Sequence, residues 1–356
     1  MTIMSIPIHS TVNDARKLLM SSQTNAKPIS NELHLWAQQA LGTRFEVEQL
    51  PKDASKRNYF RLSDGIQSWI LMDSSDEPME LLSYLKVGQT FKSSQIHVPE
   101  VFAYHEELSA CIISDMGRHT YRDVISLDNC EPMMADALQA LVKIQRAPLT
   151  DVPTFDRQIM SVELNMSQHW FMEKLCQVDF TSAQKRLLKQ TYNRLILSAL
   201  AQPTVTVHRD YHSENLMACD LRPGVIDFQS AVRGPVTYDL VCLLRDARLQ
   251  WPEEKVLKWA VAYHKLVEEN HVIAPVSRQQ FLHWFDWMGI QVHLKVLGIF
   301  ARLYIRDGKA KYLKFIPTGL TYLDNVCERY SVLTPFRDLI GELSSSALAR
   351  LETIEL

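Results

Sequence analysis

Three oxygen-bearing side chains fall close together in "VTVHRDYHSENLMACDLRPGVIDFQSA": Asp210, then Asn215 five positions on, then Asp227 in an apolar–apolar–Asp–Phe run. A carboxylate beside a hydroxyl can orient it and take its proton. An amide oxygen and a second carboxylate can hold a hard cation against phosphates. Phosphoryl transfer from a nucleotide needs these roles filled together. Asp210 fits the base, while Asn215 and Asp227 fit the ligands of Mg²⁺. Isolated Asp and Asn often do no more than shape turns. The ordering H-x-D-x-x-x-x-N followed by Asp–Phe demands more than turn chemistry.

The flanking residues say what must position this set. Val205–Val207 reads as a strand that delivers His208, Arg209 and Asp210 to its end, and a loop carries the chain to Asn215. Leu216–Ala218 and Gly224–Ile226 pair as a hairpin with Asp227 at its edge. Up to about Met116 the chain favours strands: "FEVEQL", "YFRL", "SWILMD", "PEVFAY" and "ACIISDM" are short, aromatic or branched, and punctuated by Asp, Ser, Gly and Pro. One helix, around Glu77–Thr90, interrupts them. From Glu131 the apolar period becomes helical, with Met134, Leu138 and Leu141, then Leu188, Tyr192, Leu195 and Ala199, at spacings of three and four. Further helices are expected near Glu253–Glu269, Arg278–Tyr304 and Pro335–Glu352. The joint between a small β-rich lobe, residues 1–116, and a larger helical lobe, residues 117–356, falls at "SDMG".

Composition bounds the partners. With 356 residues, 46% of them hydrophobic, the chain can bury one large core or two modest ones. The 38 basic and 41 acidic residues nearly cancel and are dispersed, so neither nucleic acid nor an anionic membrane is an expected partner. The six cysteines are scattered singly, without metal-ligand spacing, and read as reduced thiols. The N-terminus lacks a basic region followed by a long apolar one, and Gln291–Ile305, the most apolar later stretch, is broken by His293, Lys295 and Arg302. A cytoplasmic protein is expected.

The motif pair resembles the catalytic and metal loops of the protein-kinase-like fold. D-F-Q in place of D-F-G, continued into G-P-x-x-Y-D-L, resembles the aminoglycoside phosphotransferase and choline kinase-like branch, in which a small-molecule hydroxyl accepts the phosphoryl group. More narrowly, "YDLVCLLRDARLQWP" and "FDWMGIQVHLKVLGIFARLYIRDGKAKYL" are similar to the bacterial anomeric kinases of N-acetylmuramate and N-acetylglucosamine, and recognisable pieces run from about residue 35 to 330. The resemblance implies an α+β, two-lobed fold. The N-terminal lobe would bind nucleotide, and the C-terminal lobe would carry catalysis and sugar binding. ATP would be the co-substrate, Mg²⁺ the metal, and a sugar 1-phosphate for cell-wall recycling the product. An aminoglycoside or choline-like amino alcohol as acceptor, and a nucleotide-binding scaffold without transfer activity, are the rival readings. Asp239, in Y-D-L, reads either as an anchor for the catalytic loop or as a helix cap.

One departure is plain. A phosphotransferase of this fold carries a Lys on its third strand, whereas "SWILMD" offers Met72. Arg57 and Arg61 are the candidate replacements, because a guanidinium can hold phosphate bidentately. Asp53, Ala54, Ser55 and Asn58 are small or turn-forming enough for backbone to approach phosphate, and Asp115 at the joint is grouped with nucleotide binding. The lactyl carboxylate of N-acetylmuramate calls for a cation near the acceptor, with Arg233, Arg245 and His212 as candidates. Glu163 is a further substrate candidate, and Asp246, Trp284, Asp286, Trp287 and Gln291 are possible sugar contacts.

Overall fold

The computed structural model describes residues 28–51, 57–220 and 222–354. Asp53, Ala54 and Ser55, and the N-terminal stretch, lie outside them. Two compact units make up the chain, one of residues through Leu81 with Val101–Asp115, the other of Leu82–Glu100 with residues from Met116 onward.

The first unit contains a helix that the strand-like pattern did not announce, α1 (Asn31–Leu41). Ser30 caps it by accepting from the Leu33 N–H, and Gly42 closes it in the left-handed region at φ 66°. β1 (Glu46–Gln49), β2 (Asn58–Ser63) and β3 (Ser68–Asp73) follow, then α2 (Pro78–Ser93), which runs on into the second unit, then β4 (Val101–His105) and β5 (Ala110–Ser114). The sheet is antiparallel in the order β1-β2-β3-β5-β4. Its apolar face, Phe60, Leu62, Trp69, Leu71, Ala110 and Ile112, packs on Leu33 and Ala37 of α1. Trp36 and Leu41, partly buried, pack on the same cluster, so Leu33, Trp36, Ala37 and Leu41 form one apolar face at helical spacing.

The second unit is mostly helical: α3 (Tyr121–Val124), α4 (Cys130–Arg146), α5 (Arg157–Met166), which runs into a π-helical segment at Ser167–Leu175, and α6 (Ser182–Leu200). Two small antiparallel pairs follow. β6 (Thr204–Val207) pairs with the later β9 (Val232–Pro235), and β7 (Leu216–Met217) pairs with β8 (Gly224–Val225). After β9 (Val232–Pro235) come α7 (Tyr238–Leu244), α8 (Glu253–Glu269), α9 (Arg278–Asp307), α10 (Ile316–Glu328) and α11 (Thr334–Glu352). β9 and α10 were not expected from the sequence. All six cysteines are free.

α9 is the spine of this unit. It is capped by Ser277 and ended by Gly308 at φ 68°. By length and composition it could cross a membrane, but 72% of its most apolar window is buried inside the protein, as befits a core helix. Gly298 lets it approach the π-helical segment closely: a Cβ there would lie 2.7 Å from Ser167 Cα and 2.8 Å from Ser167 N. Gly298→Ala should therefore cost about 1–3 kcal/mol of unfolding free energy in urea, since backbone must shift. Gly341→Ala in α11, where nothing lies within 4 Å of the added carbon, should gain up to about 1 kcal/mol from helix propensity. A Gly298→Ala protein as stable as the parent would contradict the close approach.

Candidate active site

β6 ends at Val207, and the next three residues take an unusual path. Arg209 has φ 78°, a left-handed conformation that costs a non-glycine residue about 1–3 kcal/mol. Asp239 compensates: its carboxylate accepts the His208 N–H at 2.6 Å and the Arg209 N–H at 2.9 Å. It occupies the second position of α7, whose cap residue is Thr237, so it anchors the loop and does not cap the helix. Burial carries its carboxyl up to about 7, and the two N–H donors pull in the opposite direction.

His208 completes the local frame. Its Nε2 lies 3.0 Å from the Ile226 carbonyl and must be the protonated nitrogen, which leaves Nδ1 to accept the Asp210 N–H at 3.3 Å. Burial lowers its pKa against the pull of Asp210 and Asp227, in keeping with that neutral tautomer. The ring thus joins the Asp210 loop to the residue before Asp227. Asp227 itself is left-handed at φ 63°. The next residue, Phe228, is fully buried and stacks on Tyr84 of α2 with centroids 4.7 Å apart, beside Gly88.

Asn215 donates Nδ2 to the Asp210 carbonyl at 2.9 Å, and its own carbonyl accepts the Ile226 N–H at 3.1 Å. Its Oδ1 is thereby left as the side chain's acceptor. Gln229 donates to the Asp227 carboxylate at 3.1 Å. Among the described residues no three His, Cys, Asp or Glu side chains gather as a metal cage. An amide oxygen with one carboxylate is the sparse donor set that Mg²⁺ uses when phosphates supply its other ligands, so these residues fit that ion.

The Asp210 side chain is 43% exposed, and Lys295 of α9 brings Nζ to 3.7 Å from its Oδ1. Burial alone would raise the Asp210 carboxyl, but the permanent cations around it, Lys295 first and Arg209 with it, hold it below the ordinary value. Lys295 was not anticipated from the sequence. Only its break in an apolar helix marked it, and a lysine in such a helix needs a partner.

The other candidates have other employment. Arg61 is bidentate to Asp115 at 2.5 and 3.0 Å, and Ser68 also donates to Asp115, so these two nucleotide candidates satisfy each other. Arg57 lies with Nη1 3.8 Å from the Met72 sulfur and Nε 3.5 Å from Glu80 on α2. Glu163 holds Arg209 through a 2.8 Å ion pair. Arg233 reaches back along β6, donating to Thr206 Oγ1 and the Thr204 carbonyl, before the loop begins. Arg245 is fully buried on Asp286 and Glu253. His212 is pushed down to about 4 by burial and by Arg248, so at neutral pH it brings no charge to meet a carboxylate. Asp246, Trp284, Asp286, Trp287 and Gln291 are buried, with Asp246 holding Ser213 and Asp286 holding Arg245, Arg329 and Tyr330.

The fold is the two-lobed α+β fold of the kinase-like phosphotransferases, and the phosphotransferase enzyme family matches residues 46–275. Among solved structures, an ADP-bound aminoglycoside phosphotransferase APH(2'')-Ib superposes with a TM-score of 0.58 at 14% identity, covering 84% of this chain and 99% of that one. The Plasmodium vivax ethanolamine kinase gives 0.58 at 12% identity, covering 91% and 96%. The superposed structures share the fold, and the family match sets the class, a phosphotransferase. The N-acetylmuramate/N-acetylglucosamine kinase of Neisseria meningitidis serogroup B is 40% identical over 320 residues, 88% of this chain and 95% of that protein. The protein of that name in Pseudomonas aeruginosa is 36% identical over 305 residues, 85% and 90%. The chain belongs to the N-acetylmuramate/N-acetylglucosamine kinase family.

Neutral buried histidines make stability depend on pH. His212, near 4, and His293, carried to about 3 by burial and Arg245, stay neutral in the folded protein where the unfolded chain would protonate them. Their contribution is present above the unfolded value of about 6.5 and is lost as pH falls, by up to about 1.4 kcal/mol per unit for each histidine. His208 acts in the same direction. Asp239, protonated more readily folded than unfolded, acts in the opposite one, and its contribution is lost as pH rises through about 7. The histidines outnumber it. Urea unfolding should therefore show lower stability at pH 5 than at pH 7, and equal stability would argue against the buried neutral imidazoles.

Proposed function

We propose that this chain transfers the γ-phosphoryl group of ATP to the anomeric C1 hydroxyl of N-acetylmuramate and N-acetylglucosamine. The product would be a sugar 1-phosphate for cell-wall recycling, made in the cytoplasm. The observation that carries phosphoryl transfer is the half-exposed Asp210 carboxylate on a loop that Asp239 clamps, that Asn215 ties through the Asp210 carbonyl and that His208 joins to the residue before Asp227. The sugars are supported by the names of relatives 36–40% identical over most of both chains.

In this reading Asp210 accepts a hydrogen bond from the C1 hydroxyl, aligns its oxygen for attack, and takes the proton as the bond to phosphorus forms. The anomeric hydroxyl suits a carboxylate base because the ring oxygen makes it more acidic than an ordinary alcohol. Mg²⁺, with Asn215 and Asp227 as its protein ligands, would offset phosphate charge. His208 and Asp239 fix the backbone on which these groups sit, so little rearrangement accompanies transfer.

Residues 1–116 serve the nucleotide in this reading, with Arg57 as the cation that stands in for the absent strand lysine. Its contact with Met72 and its pairing with Glu80 on the next helix support that choice over Arg61, which Asp115 occupies. Residues 117–356 carry the base and the sugar. Arg57→Met should raise the KM for ATP by about tenfold or more, the loss of one charge-assisted contact. Arg61→Met should mainly lower stability. A normal KM for ATP in Arg57→Met would remove Arg57 from the nucleotide site.

Asp210→Ala should lower kcat by about 10²–10⁴-fold while nucleotide binding persists. The anomeric position has its own test. The methyl glycoside of N-acetylglucosamine has no proton on its anomeric oxygen, so an enzyme acting at C1 leaves it untouched. Consumption of the free sugar alone, with a product showing phosphorus coupling to H1 in NMR, is the expected result. Efficient phosphorylation of the methyl glycoside would move the reaction to another hydroxyl.

A further inference from the structure

Lys295 is the buried cation that the motifs leave unexplained. Its side chain is 9% exposed, and it lies on α9, far along the chain from the catalytic loop. One of its three N–H donors goes to the Tyr238 hydroxyl at 2.9 Å. The Asp210 carboxylate, at 3.7 Å, is an ion-pair partner beyond hydrogen-bond reach. Burial would lower the pKa of this ammonium, but Tyr238, Glu163 and Asp210 around it raise it well above the ordinary lysine value, so it carries a full charge.

The separation from Asp210 has a use. Hydrogen bonds of about 2.7 and 2.8 Å that meet on one oxygen at roughly 85° have outer atoms 3.7 Å apart, the separation found here. We propose that Lys295 is a further catalytic residue: its Nζ donates to the same acceptor oxygen whose proton Asp210 takes. This rests on the reading of Asp210 as the base.

In the transfer step the sugar hydroxyl gives its proton to an Asp210 oxygen, and its own oxygen forms the bond to the γ-phosphorus. The bond from that phosphorus to the β–γ bridging oxygen breaks, and ADP leaves with the electron pair. Lys295 stays protonated throughout. Its hydrogen bond strengthens as negative charge grows on the accepting oxygen, which is the differential binding that lowers a barrier. Three features keep the ammonium in place. Tyr238 is the residue next to the loop anchor Asp239, Gly298 brings α9 close to the π-helical segment one turn beyond Lys295, and Glu163 ties Arg209 to the same neighbourhood.

The test compares Lys295→Met, Lys295→Arg and wild type on N-acetylglucosamine and on its N-trifluoroacetyl analogue, whose anomeric hydroxyl is more acidic. Lys295→Met should lose about 10²-fold or more in kcat on the N-acetyl sugar, with the KM for ATP within about twofold of wild type. Its loss on the more acidic acceptor should be at least about threefold smaller, because less charge then needs stabilising, and Lys295→Arg should recover part of the loss. Equal losses on the two acceptors would mean that Lys295 only supports the structure, and a Lys295→Met enzyme with near-normal kcat would overturn the proposal outright. If Lys295→Met fails to fold, Lys295→Gln is read in the same way. Wild-type inactivity on both sugars would sink the substrate reading and this inference together, whereas an active wild type with an unaffected Lys295→Met sinks only the role of the lysine.

Discussion

The arrangement depends most on a single carboxylate, that of Asp239, accepting two successive backbone N–H groups. Without it, Arg209 would have little reason to remain left-handed, and Asp210 would leave β6 in another direction. The cost is a buried acid and a strained residue. The strain is local, and the compensation comes from α7, an element of the same unit that packs on α9. The His208 ring then extends the frame from the Asp210 loop to the strand before Asp227, so the three oxygen-bearing side chains belong to one hydrogen-bonded framework.

Much of this was legible because it is contiguous. Asp210, Asn215 and Asp227 lie within eighteen positions, and the short hairpin between them is marked by apolar pairs at both ends. Periodicity likewise marked the helix at Glu253–Glu269, and a long apolar run free of proline marked the one at Arg278–Asp307. α1 was passed over although Leu33, Trp36, Ala37 and Leu41 fall at helical spacing, because the strand-like segments that follow dominate that part of the chain, and β9 was not legible because an Arg-Gly-Pro strand looks like a turn. α10 was hidden by the Gly and Pro in its first turn.

Cations were the least readable class, and for one physical reason. Whether an arginine serves a ligand or a carboxylate depends on which acids the fold brings to it, and those acids are distant in sequence. Arg245 meets Asp286, forty-one positions on, and Arg61 meets Asp115, fifty-four positions on. Arg57 and Arg61 look alike in sequence, and only the fold sets Glu80 and Met72 beside the one and Asp115 beside the other. Lys295 is the extreme case, a charge whose partner Asp210 lies on a separate element and whose neighbours in sequence are mostly apolar.

That placement of Lys295 bears on how such enzymes can be recombined. The Asp210 loop transplanted alone from this chain into another phosphotransferase would bring Asp210 and Asn215 but not the ammonium, because the latter is carried by a rod about 45 Å long whose seating depends on Gly298. The transferable module is larger than the motif. It comprises the loop, the Tyr238–Asp239 pair and the middle of α9, and a chimera needs all three to keep the Lys295–Asp210 ion pair that a loop swap leaves behind.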